Sequence, residues 1–155
     1  MLRDIYEISG EYFDEMFEFY SEDLDLGFRA ILRGWKCIGM YDLYILHLHS
    51  VTTKKRGNDF SIYYNHRNQL WCIIKNYPRI LLWRYWFIII ASQLSAIAYY
   101  CIRGKPLLIV RSKFDALRSL SKVLKKRHRI QKDVPVNLDY IRSLFSKESL
   151  FKLWK

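Results

Sequence analysis

Apolar positions fall into helical periods over most of the chain. Leu24, Phe28, Ile31 and Leu32 recur at i, i+4, i+7 and i+8, the spacing of one helix face. Ser21 is an N-cap residue type, and Gly34 predicts the stop. From Phe60 to Tyr77 the residues Phe60, Tyr63, Tyr64, Leu70, Trp71 and Ile74 define a second helix, which Pro78 ends or kinks. Pro106 suits a first helical turn, and the stripe after it runs Val110, Phe114, Leu117, Leu120 and Leu124. A last short helix is expected from Leu138 to Phe145. Between the first two helices, "KCIGMYDLYILHLHS" is rich in β-formers broken by Gly39 and Asp42 and predicts two short strands. The polar, basic stretch "VTTKKRGND" that follows reads as a loop.

One segment departs from amphipathic spacing. "YWFIIIASQLSAIAYYCI", Tyr85 to Ile102, carries no charge. As a helix it would reach about 27 Å, against roughly 30 Å for a hydrocarbon core. Arg79 and Arg84 flank one end, Arg103 and Lys105 the other, so flanking charge selects no orientation. Trp83, Tyr85, Trp86, Tyr99 and Tyr100 supply the aromatic belt of a membrane interface. Three readings stay open: a marginal span, a buried core helix, and, preferred here, a helix lying in or dipping into one leaflet. The basic residues of the next helix, Arg111, Lys113, Arg118, Lys122 and Lys125, lead into "KKRHRIQK". Beside an anionic leaflet each Lys or Arg contributes on the order of 1 kcal/mol.

The net charge of +11 hides an asymmetry. Residues 1–25 hold nine acids and one base, a net −8, which leaves +19 on the remainder. Such a distribution suggests a cation-handling end and a part that meets an anionic surface. With 155 residues, 51% of them hydrophobic, the chain fits one domain with a real core. Cys37, Cys72 and Cys101 are widely spaced and read as buried thiols in a reducing compartment. "MLRDIYEISGEYF" lacks the apolar run of a secretory signal and predicts that the chain is not exported. Nucleic-acid binding through "KVLKKRHRIQK" is disfavoured, since no reading motif accompanies the basic run.

Glu22, Asp23 and Asp25 open the first helix, where free N–H groups and the macrodipole favour acids, so a purely structural role accounts for them. Asp25 can also pair with Arg29 at i+4. The other reading is catalytic: a carboxylate fixed at a helix start has the geometry a general base needs. His47 and His49, at i and i+2 of an expected strand, share a face and read either as an ordinary pair or as metal ligands with nearby carboxylates.

The order of several motifs carries a resemblance. "YFDEMFEFYSEDLDLGFRAILRGWKCIG", "LHLHSVT" and "YYNHRNQLWCIIKNYP", with F-D-E at 13–15, E-D-x-D-L at 22–26, H-x-x-S-x-T at 47–52 and Arg67-Asn68, resemble the carboxyl-terminal half of family 2 glycosyltransferases, in particular the rhamnosyltransferase-like branch. The similarity runs over residues 1–132. It implies the C-terminal part of a GT-A fold: α/β, predominantly helical here, with an acid-turn helix and two short strands, then apolar and amphipathic helices. The corresponding division is an acceptor-side half at 1–78, a membrane-associating part at 79–132 and a tail at 133–155.

The resemblance further implies an inverting transfer from a nucleotide-diphosphate sugar to a hydroxyl of a lipid-linked or cell-surface glycan. Asp23 would be the general base, with Glu22 and Asp25 in support. His47 would ligate a divalent cation, Mg²⁺ or Mn²⁺, and Arg67 and Asn68 would touch substrate. Asp23-Leu24-Asp25 also spells D-x-D, but that metal motif ends a strand in the family, whereas this one opens a helix. The strands that bind the nucleotide are not recognisable in the chain. It is therefore expected to be a half-enzyme, whether a fragment, the second product of a split gene that acts with a separate donor-binding half, or a truncated frame; to be inactive alone; and to sit, peripheral or monotopic, on the cytoplasmic face of the cell membrane. A non-catalytic membrane-surface module is the alternative.

Overall fold

The computed structural model describes residues 1–38, 42, 44 and 57–144, and in it the helical periods become helices, one of them split in two. The order is α1 (Leu2–Ser9), a 3-10 turn (Glu15–Phe17), α2 (Glu22–Leu32), α3 (Asn58–Asn76), α4 (Arg79–Ile102), α5 (Pro106–Arg118), α6 (Leu120–Gln131) and α7 (Leu138–Leu144). Among the described residues there is no strand. The expected α/β class, with two short strands of a GT-A fold, is corrected to an all-helical architecture. β-Formers signal side chains that fit a half-buried pleated surface, not an intrinsic backbone preference. Ile38 and Tyr44, from the segment assigned to strands, are 80% and 94% exposed and have no such surface to fit. Residues 39–41, 43 and 45–50 of that segment, His47 and His49 included, lie outside the described residues.

The core is built around α3, which packs on α5, α6 and α2. One cluster joins Phe17, Trp71, Cys72, Ala116 and Val123; a second joins Leu32, Leu81, Ile130 and Ile141. Both draw residues from each side of position 78. Small Ser112 and Ala116 are buried on α5, and Trp71 Nε1 donates to the Ala116 carbonyl at 3.0 Å. The stripe expected as one helix is broken at Ser119, and its members Val110, Phe114, Leu117 and Leu124 are exposed. The buried side is Ile109, Ser112, Lys113 and Ala116. Of the thiols, Cys72 is buried, and burial pushes it up to about 12. Cys37 and Cys101 are exposed, contrary to the expectation for all three.

Helix α4 is the longest described helix, and its apolar surface is largely uncovered. Its 24 residues span about 36 Å, yet Leu81 is its one buried residue, and Trp83 is 79% exposed. The core-helix reading therefore does not describe it. The helix is nonetheless fastened along its length. Leu81 and Tyr85 join the Leu32, Ile130 and Ile141 cluster, Gln93 Oε1 accepts from Lys113 Nζ at 2.6 Å, and Tyr100 packs edge-on against His66. Just beyond its end, Lys105 pairs with Asp59.

Helix α2 ends in a full Schellman motif, with Trp35 N–H donating to Ala30 O and Gly34 N–H to Ile31 O, both at 3.0 Å. Gly34 has φ +85°, and a Cβ there would meet Val136 at an ordinary 3.6 Å. The cost of Gly34→Ala is therefore backbone strain, about 1–2 kcal/mol. A lower urea midpoint with an unchanged slope is the expected result; an unchanged midpoint would show that the left-handed turn is not retained.

Candidate active site: a strained acid turn

The segment leading into α2 holds three non-glycine residues at positive φ: Glu18 (57°), Tyr20 (65°) and Ser21 (68°). It begins at the 3-10 turn, which Asp14 caps by accepting Met16 N–H at 3.0 Å. At Glu18 (φ 57°, ψ −58°) Phe19 N–H donates back to Phe17 O at 2.6 Å. This is the γ-turn of positive φ, a rare and strained form. Ser21 holds the N-cap position in a left-handed conformation, but its side chain makes no cap hydrogen bond. The first turn of α2, with Glu22 and Asp23, is thus left without that cap. Each such conformation costs about 1–3 kcal/mol and persists only where its surroundings over-determine it.

Helix α3 supplies that constraint. Asn68 is fully buried, and its Nδ2 donates to Phe17 O (2.7 Å), Phe19 O (2.6 Å) and Tyr20 O (2.9 Å). Arg67 Nε donates to Asn68 Oδ1 at 2.9 Å, which fixes the amide's orientation, and its Nη2 reaches Met16 O and Phe17 O. The guanidinium lies over the rings of Tyr64 and Trp71, 4.5 and 4.3 Å from their centroids. Tyr64 donates to Glu18 Oε2 at 2.6 Å, and this bond, with burial, raises its phenol above the usual range. Tyr20 and Ser61 share a hydroxyl hydrogen bond of 2.8 Å.

Beneath the turn lies a buried ionic hub. Lys75, 1% exposed, sits between Asp14 (2.5 Å) and Asp25 (2.6 Å). Asp25, at 0% exposure, also takes Arg29 Nε (2.9 Å) and Asn76 Nδ2 (2.7 Å). Arg29 in turn donates to Ser9 Oγ, Glu11 O and Tyr12 O, tying α1 and its exit to α2. Lys126 from α6 bonds Asp14 at 2.6 Å and Glu11 at 2.7 Å. Burial alone would raise the Asp14 carboxyl, but Lys75, Lys126 and the Met16 N–H outweigh it and hold the group below the usual range. Burial likewise opposes the charge on Lys126, yet the bonds to Asp14 and Glu11 raise it.

The residues singled out from sequence thus take distinct places. Asp23 is exposed in the first turn of α2, and its Oδ1 accepts Leu24 N–H at 2.7 Å. Glu22 beside it is partly buried, and its Oε2 is a buried atom with no hydrogen-bond partner among the described residues. Asp25 faces inward and is fully engaged by cations. Arg67 and Asn68 spend their polar atoms on the backbone of 16–20 and position the turn. His47 lies outside the described residues, so its distance from Asp23 is not part of this geometry. Trp83, Trp86 and Tyr99 are exposed on α4, while Tyr85 and Tyr100 are half-buried toward the body.

Among the described residues no three His, Cys, Asp or Glu side chains form a group that could hold a divalent cation. The buried acids are compensated by Lys75, Arg29 and Lys126 instead. Lys75, Asn76, Lys126 and Glu11 were not anticipated as part of the site. Lys75 had a signal, a lone cation in the otherwise apolar "LWCIIKN"; Lys126, one of a basic run, had none. No family model, curated protein or solved structure matches the chain.

Proposed function

We propose that this chain carries the hydroxyl-activating part of an inverting sugar transferase like those of family 2, with Asp23 as general base. The observation that carries the reading is the strained turn at 18–21, which α3 holds in three positive-φ conformations directly before Asp23. Strain of this kind clusters where a side chain must be held in a fixed position for chemistry. The orphaned Glu22 Oε2 lends further support, since an acceptor hydroxyl or amide would satisfy it. Asp23 would take the proton of an attacking alcohol as the oxygen bonds to the sugar's anomeric carbon and the nucleoside diphosphate leaves. Asp25, Arg67 and Asn68 are positioning residues in this scheme, and no step is assigned to a metal ion. The donor would be held by a separate nucleotide-sugar-binding half.

The test is transfer by the assembled enzyme, this chain together with its donor-binding half, from a nucleotide-diphosphate sugar to a hydroxyl acceptor. Asp23→Asn is expected to lower kcat by about 10²–10⁴-fold, the usual weight of a general base, with thermal stability unchanged because the side chain is exposed. Undiminished turnover would remove Asp23 from the reaction. The uncovered apolar surface of α4 favours a second reading, a membrane-surface module without catalysis. That reading requires vesicle binding and no transfer from any assembly.

A further inference from the structure

Where α3 hands over to α4, the C-terminal turns of α6 and the following residues enclose a hollow of about 770 Å³. Arg79, Arg127, His128 and Lys132 line it, and among the described residues no acid does. Leu124 and Val134 contribute apolar wall. Two smaller hollows share its residues: one adds Lys125 and Arg129 beyond Leu124 and His128, the other adds Leu82 and Trp83 beside Arg79. The cations therefore stand at the edge of the exposed apolar surface of α4.

One of these charges, Arg127, is fixed in place. Arg127 Nη1 donates to Ile74 O (2.5 Å) and Tyr77 O (2.7 Å), closing the end of α3 and holding its guanidinium at the hollow. Burial first, and the neighbouring Arg79 charge second, push Arg127 below its ordinary range. Two neighbouring guanidiniums with no carboxylate among the described lining residues leave an unmet demand for an anion.

We propose that this hollow binds the phosphate head group of an anionic membrane lipid, with α4 lying along the bilayer surface rather than across it. A helix apolar on nearly all sides belongs either in a protein core or in lipid, and α4 is not in the core. Its attachments at Leu81, Tyr85, Gln93 and Tyr100 hold it against the body from end to end, so its outer face meets a bilayer broadside. Leu107, 85% exposed, with Val110 and Phe114, adds further uncovered apolar surface on the neighbouring α5. A second copy docking through the same face is a poor occupant, because residues 79–132 carry thirteen Lys and Arg against the single acid Asp115. Nucleic acid would satisfy the cations but leave Trp83, Trp86 and Phe87 in water. The inference stands independently of the role of Asp23.

Flotation of the full chain with phosphatidylcholine vesicles tests it, the vesicles carrying either phosphatidic acid or oleate at matched surface charge. Tighter binding to phosphatidic acid is expected. Arg79→Gln with Lys132→Gln, both at exposed positions, should abolish that preference and weaken binding about thirtyfold, the effect of two cations at a leaflet surface. Arg103→Gln with Arg111→Gln removes equal charge away from the hollow; it should weaken binding to both vesicles and keep the preference. Equal binding to the two anionic vesicles, or the same loss of preference in both double variants, would overturn the proposal. So would an RNA oligonucleotide or inorganic phosphate that displaces the vesicles at the lipid's own concentration.

Discussion

Replacing Lys75 with methionine is expected to lower stability by about 3–5 kcal/mol, because the change keeps the volume but strands two buried carboxylates. The effect should fall toward the lower end of that range, since Asp14 keeps Lys126 and Asp25 keeps Arg29. Its pH dependence distinguishes charge from packing. In the native protein Asp14 is held below its unfolded value of about 3.9, so it stabilises the fold above that pH, and the contribution is lost as pH falls through the lower folded value. Without Lys75 the burial of Asp14 favours the protonated form, and acidification relieves the variant where it weakens the native chain. Urea unfolding at about pH 7 and pH 4 should therefore show a deficit that shrinks on acidification. A deficit independent of pH would assign Lys75 a packing role only.

Asn68→Ala is the second large expectation. The amide's two hydrogens serve three carbonyls, and Arg67 is the group that orients it. Leaving buried carbonyls unsatisfied costs about 1–3 kcal/mol each. Relaxation of the strained turn returns part of that, so a net loss of about 2–3 kcal/mol is expected. The more telling readout is local: protease cleavage at 18–22 should speed up more than global unfolding accounts for. Asn68→Asp should be no better than alanine, since an ionised carboxylate cannot donate. In the transfer assay both variants should lower kcat without touching substrate. A turn that stays protease-resistant in either variant would show that Asn68 does not hold it.

The sequence disclosed the helices with the most regular periods and little of what connects them. The spacing of Leu24, Phe28, Ile31 and Leu32 marked α2, and Pro78 and Pro106 marked boundaries that the chain observes. Helix α1 went unread because eight residues carry too short a period, and Glu15–Phe17 because a 3-10 turn has none. The face of α5 was assigned backwards: large apolar residues at 110, 114 and 117 gave the louder signal, but small Ser112 and Ala116 allow the close approach to α3. That error is informative, since a helix that buries its small residues and exposes its large ones has a further apolar surface to offer. Of the candidate site, the acids were legible as a helix start. Their division into an outward Asp23 and an inward Asp25 was not, because it depends on Lys75 and Asn76, some fifty positions later.

The ionic hub has a consequence for how the protein is made. Its members come from Glu11, Asp14, Asp25, Arg29, Lys75 and Lys126, so the front of the chain cannot acquire its final shape while it leaves the ribosome. A nascent chain stalled before Lys126 has cleared the exit tunnel still lacks one of the cations that Asp14 requires. A segment made about a hundred residues ahead of Lys126 is then ordered only after it, and the acidic head waits on the basic body to complete it.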